Sequence, residues 1–340
     1  MKVFKIMFYF SAAIVALLFV MFMFELAKGG WKFKNFGKSD YELHGHGIND
    51  EFHSLEIVTT TADILVLPSG DQECHVSCYD KESLRHEVAV EDGTLKVKIA
   101  DTRKWYNYIG FDFGHPQVTV YLPDAFFDAI TVSASTGDVE IKKISADDVS
   151  VVLSTGDVSL SEMAVSNITV TASTGDVNIC ESDVTDNIQA VVSTGDIDVL
   201  GVTGNSAISL KSTTGNTTLK NVNAASLSAT ASTGDAKFTS VSISGELCSK
   251  RDTGCTDLVD TTAGKFNLKA STGDVSFKRA DADEIFVKVT TGDVKGALLT
   301  DKVYITSTGT GKIDVPKTTT GGRCEITTTT GNIKISVPKD

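Results

Sequence analysis

Seven aspartates recur at nearly constant intervals along this chain: Asp138, Asp157, Asp176, Asp196, Asp235, Asp274 and Asp293. If the segments that carry them stack, their carboxylates form a column, and a column of hard oxygen ligands is what would gather Ca²⁺. The nine-residue G-G-x-G-x-D phrase of calcium-binding β-rolls is absent, and Asn216, Asn332 and Lys312 stand in for the Asp in other copies. An Asp that hydrogen-bonds the backbone of its own turn explains the same pattern and is the expectation here. The column, led by Asp138, Asp157, Asp176 and Asp196, remains a candidate ligand-binding feature; no cofactor is expected, and Ca²⁺ is the one ion that would suit it.

Two other groups have residue types suited to binding. Trp105, Tyr106 and Tyr108, with Phe111 and Phe113, fall in the loop WYNYIGFDFGHP at 105–116, which either meets a partner or covers an apolar end, the latter being the expectation. His44-x-His46 with His53 could hold a metal, but they lie in a stretch that reads as a flexible tether without supporting ligands, so no metal site is expected. All six His (44, 46, 53, 75, 86 and 115) precede the recurrent Asp. Because the Asp residues recur instead of singling out one place, no acid, base and nucleophile converge; no catalytic residue is assigned and the chain reads as a non-enzyme.

The elements that position these residues repeat. STGDV occurs at 135–139, 154–158 and 173–177, STGDI at 193–197, TTGNT at 213–217 and STGDA at 232–236. DTGCT at 252–256, STGDV at 271–275, TTGDV at 290–294, GTGKI at 309–313 and TTGNI at 329–333 follow, so eleven copies are spaced by 19 or 20 residues. Apolar residues keep step with the glycine: Ile130, Val132 and Ala134 precede Gly137, and Val139 and Ile141 follow it. Period-two alternation rich in β-branched residues means a strand, a glycine turn and another strand in each unit. Such a unit cannot bury its apolar face alone, but units stacked at about 4.8 Å bury it as continuous ladders. The expected fold is all-β: a right-handed parallel β-solenoid of about eleven coils with an N-terminal β cap, preceded by one transmembrane helix. At Cys248–Cys255 the pattern breaks, because Ser249 and Arg251 occupy apolar positions and Cys255 replaces the Asp, so a bulge or loop is expected there.

Ile6 to Phe24 is nineteen residues without a charge, long enough to cross a bilayer as a helix, and Glu25-Leu26-Ala27 is a poor cleavage site for a secretory signal. The organisation read from the sequence is a membrane anchor at 1–28, a tether at 29–53, a β-rich start and cap at 54–128 and the repeats at 129–340. The net charge is -13, and six Lys against Glu25 and Asp40 in the first 40 residues leave -17 for the remainder. An acidic body excludes non-specific nucleic-acid binding. Six Cys (74, 78, 180, 248, 255 and 324) lack both disulfide-framework density and C-x-x-C spacing and read as buried thiols.

An apolar N-terminal segment, a β-rich lead ending in VTVYLP at 118–123 and serial STGDV phrases together resemble the bacterial adhesin-type family called DUF4097, over about residues 50–338. The resemblance implies a β-solenoid on a bacterial cell envelope with an adhesive or scaffolding role and no catalytic residues to carry over. The reading is therefore a non-catalytic, single-pass membrane protein whose repeats lie outside the cytoplasm and meet an envelope polysaccharide, a protein or another copy of the chain. A polysaccharide-processing β-helix enzyme and a membrane-tethered sensor are the alternatives.

Overall fold

The computed structural model describes residues 41–81, 84–101 and 115–337. The apolar segment 6–24 with the rest of the expected anchor, and Trp105, Tyr106, Tyr108, Phe111 and Phe113, lie outside the described residues. Among the described residues every regular element is a strand, and no helix is long and apolar enough to cross a membrane.

Among the described residues seven strands precede the repeats: β1 (Tyr41–Ile48), β2 (Ser54–Thr61), β3 (Asp63–Pro68), β4 (Cys74–Lys81), β5 (Leu84–Glu91), β6 (Thr94–Asp101) and β7 (Gln117–Leu122). The first repeat coil is β8 (Phe126–Thr136) followed by β9 (Val139–Lys142), and all eleven phrase glycines lie at the corner between two such strands. Successive coils pair in parallel, residue on residue. Leu95, Leu55, Ile130, Val149, Ile168, Ile188, Ile208, Leu227, Leu247, Phe266, Ile285 and Cys324 form one unbroken inner column, and each is at most 2% exposed. This is the parallel β-solenoid that the alternation demands: inward positions are buried and outward positions are wet.

Glycine is needed at the phrase corner for two reasons. At Gly175 φ is +128°, and a Cβ there would lie 1.9 Å from the carbonyl oxygen of Gly156 in the preceding coil. The corner therefore requires both a left-handed backbone and a bare face on which the next coil rests.

The stacking order departs from the chain order at both ends. β6 pairs with β2 and β7 with β3, so β6 and β7 lie beyond the coil formed by β2 and β3, which itself pairs with β8 and β9. At the other end, Gly322–Thr330 pairs with Val275–Thr291 on one side and with Lys302–Thr310 on the other. The last coil in the sequence is thus inserted beneath the one before it.

Two expectations are corrected. Residues 41–48, read as part of a tether at 29–53, form β1, which pairs antiparallel with β4. Their alternation is weak because only His44, His46 and Ile48 turn toward the core, and glycines separate them. The expected bulge at Cys248–Cys255 does not occur. Ala236–Thr253 is one strand, and Arg251 keeps register between Ala231 and Ala270. The irregularity lies earlier, between Ile243 and Glu246. Arg251 is accommodated because both its neighbours in the column are alanines, and it is only 1% exposed.

Candidate functional site: ladders of charge on the repeat surface

The phrase corner places each Asp side chain at the edge of its coil, where it meets the next coil instead of its own turn. Asp157 N–H donates to Asp138 Oδ1 at 2.9 Å, Asp176 N–H to Asp157 Oδ1 at 2.8 Å, and Asp196 N–H to Asp176 Oδ1 at 2.8 Å. The series begins at Asp63, whose Oδ1 accepts from Asp138 N–H, and passes through Asn216, whose Oδ1 accepts from Asp235 N–H. The expectation of own-turn capping is therefore replaced by a staple from coil to coil. It explains which substitutions occur. Asn keeps the accepting oxygen, whereas Lys312 stands on the outermost coil and needs none: its N–H donates to Asn332 Oδ1 at 3.0 Å. Cys255 donates to Asp235 Oδ1 but has no oxygen to offer in return. The carboxylate at Asp274 is held below the usual range first by the N–H of Asp293 and then by Lys295.

Each stapled Asp commits one oxygen to the fold. The column of Asp138, Asp157, Asp176 and Asp196 is brought together, but every member makes the same bond, so none is set apart for chemistry. The histidines disperse. His53 pairs with Asp128 at 2.7 Å, while His44 and His46 turn inward on β1 and do not join it.

A second ladder escaped the sequence reading. Lys211, Thr230, Lys250, Lys269 and Lys288 occupy one outward position in five successive coils, and all four lysines are exposed. None of the four forms an ion pair among the described residues. Neighbouring ammonium groups about 4.8 Å apart repel by roughly 1 kcal/mol in water. An extended polyanion would relieve that repulsion along the whole stripe. The signal was present in the sequence as a lysine four residues before Gly215, Gly254, Gly273 and Gly292. Phe286, beside Lys288, lies under both Lys265 Nζ and the Arg323 guanidinium, each 5.3 Å from the ring centre. Near the inserted coil, a shallow groove of about 580 Å³ is lined by Lys295, Lys312 and Lys334 together with Asp293 and Asp314. A basic stripe on an acidic body is suited to reversible binding of an anionic chain. It offers no nucleophile or general acid at a single point.

The family model described as Toastrack DUF4097 matches residues 52–239 and 183–340, which together span most of the chain. This chain belongs to the Toastrack DUF4097 family. No match is found among curated proteins. Three solved structures are similar to this Toastrack chain. One, from Parabacteroides distasonis, is described as a "putative lipid binding protein" and is 14% identical, covering 76% of this chain and 95% of its own, with a TM-score of 0.43. A "putative adhesin" from the same organism is 12% identical over 87% of this chain and 98% of its own, with a TM-score of 0.42. Another "putative adhesin", from Bacteroides fragilis, is 17% identical over 87% and 97%, with a TM-score of 0.31.

Proposed function

We propose that this Toastrack chain is a non-catalytic protein of the bacterial envelope. Its segment 6–24 anchors it in the membrane, and its repeats stand outside the cytoplasm and bind an anionic envelope polysaccharide. The observation that carries the reading is the lysine ladder, which places Lys250, Lys269 and Lys288 in three consecutive coils on an otherwise acidic body. Parallel stacking repeats the charge at the coil spacing of about 4.8 Å, so a linear polyanion lying across the coils can meet the lysines in series. Binding of this kind adds modest contributions from several exposed charges, so it is weakened by salt. The stapled carboxylates support the same reading, because a surface that must stay rigid under a ligand is held by identical bonds from one coil to the next.

The test is retention of the purified chain on immobilised dextran sulfate compared with uncharged dextran at moderate ionic strength. The wild-type chain should be retained on the charged matrix alone. The variant Lys250→Ser/Lys269→Ser/Lys288→Ser should bind about tenfold more weakly or worse, with no loss of thermal stability. Equal retention of the variant, or no retention of the wild type, would reject the polymer-binding reading.

A further inference from the structure

Apart from the ladders, the strands before the repeats enclose a compact polar cluster. Cys78 and Asp80 lie two residues apart on β4 and face inward, and His86 reaches them from β5. The three are 0%, 1% and 2% exposed, and their ligand atoms all lie within 4.8 Å of one another. Asp80 Oδ2 accepts the backbone N–H of His86 at 2.7 Å and lies 3.2 Å from His86 Nδ1. Asp80 Oδ1 has no hydrogen bond, although it is buried, and His44 Nε2 faces it at 3.5 Å. His44 arrives on β1, paired directly opposite Cys78, and its side chain is 21% exposed. On the far side of the His86 ring, Nε2 lies 3.1 Å from Thr59 Oγ1, itself buried on β2.

A carboxylate buried with one oxygen unsatisfied is costly. The neighbouring Cys78 thiol does not offset it, because it makes no hydrogen bond to that oxygen. A divalent cation between these groups would satisfy the carboxylate oxygen and use the sulfur. Thiolate, imidazole and carboxylate together select a borderline ion such as Zn²⁺ over Ca²⁺ or Mg²⁺. The Thr59 hydroxyl can accept a hydrogen bond from His86 Nε2–H, which leaves the Nδ1 lone pair directed at the metal, the outer-shell arrangement typical of metal-bound histidine. Ligand atoms around tetrahedral zinc lie roughly 3.3–3.8 Å apart, so the cluster needs to contract by about an ångström.

We propose that Cys78, Asp80 and His86 form a structural zinc site that joins β4 to β5, with His44 of β1 completing the shell. Arg85, an exposed side chain whose Nη2 lies 3.1 Å from His44 Nδ1, turns to solvent when His44 ligates. The partly open His44 is the entry path. On binding, the Cys78 proton is released to water and the thiolate bonds the metal, with no change of oxidation state.

Titration of the full, reduced, detergent-solubilised chain with Co²⁺ tests this. One equivalent should give a near-ultraviolet thiolate-to-cobalt band with intense visible bands of four-coordination, and Zn²⁺ should displace them. Cys78→Ser should abolish the near-ultraviolet band, and Thr59→Val should weaken affinity about 10–100-fold. Cys74→Ser and Asp71→Asn, the latter in the exposed Asp71/Glu73/His75 group, should leave the band unchanged. Absence of the band in the wild type, or its survival in Cys78→Ser, overturns the proposal. Should Cys78→Ser not fold, X-ray absorption of the zinc-loaded wild type decides: a sulfur at about 2.3 Å supports the site, and a shell of oxygen and nitrogen alone overturns it.

Discussion

At the scale of single residues, the corner glycine and its Asp have separable roles. Gly175→Ala should lower the urea midpoint by the equivalent of more than about 2 kcal/mol, because strain at positive φ and a clash with Gly156 O act together. Asp176→Asn should be nearly neutral, whereas Asp176→Ala, which removes the acceptor for Asp196 N–H, should cost about 1 kcal/mol. Arg251 presents the opposite case. None of its three guanidinium nitrogens has a hydrogen-bond acceptor among the described residues, and burial pulls its pKa down to about 10. Arg251→Met, similar in length and without charge, should therefore stabilise the chain by more than about 1 kcal/mol, as read in the same denaturation experiment. Acid should act through the stapled and paired carboxylates. Asp274, held low by the Asp293 N–H, and Asp260, held low by Arg279, have folded pKa values below their unfolded ones. Their contribution is complete above the ordinary Asp value of about 3.9 and is lost as pH falls through the folded values. The melting temperature should accordingly drop as the pH falls below about 4.

At the scale of elements, the repeat coils were legible because alternation, β-branched composition and an invariant corner all point to the same strand–turn–strand unit. The swapped order at both ends was not. Each coil carries the same inward pattern, so nothing in the apolar spacing distinguishes Gly322–Thr330 stacking under Lys302–Thr310 from stacking over it; only the pairing does. The consequence is measurable. Lys302–Thr310 pairs with one neighbouring repeat strand and exposes Val303 and Ile305, whereas Gly322–Thr330 is paired on both sides. Hydrogen exchange should be faster in residues 302–310 than in residues 322–330, contrary to fraying from the end of the sequence inward. β1 was missed because two glycines and a histidine-rich alternation resemble a linker until β4 supplies its partner. The Cys78, Asp80 and His86 cluster was hidden because nothing in their spacing shows that all three polar residues face inward, as β4 and β5 place them.

For the molecule as a whole, net charge is a poor guide to how charge is distributed over the surface. The chain carries a formal charge of -13, yet parallel stacking sorts like residues into columns, so a minority of lysines becomes a continuous stripe. The carboxylates, which drew attention first by their regularity, prove to be regular because they hold the coils together. The lysines recur less strictly and form no ion pair among the described residues, and the proposed polymer binding is assigned to them for that reason. Family membership and the solenoid follow from residues 52–340, while the proposed display of this body outside the cell is argued from the apolar segment that precedes it. The most direct test of that display is protease treatment of intact cells, with and without permeabilisation, followed by detection of the repeats. Digestion on intact cells is the result expected here; protection until the membrane is opened would contradict an envelope-binding role.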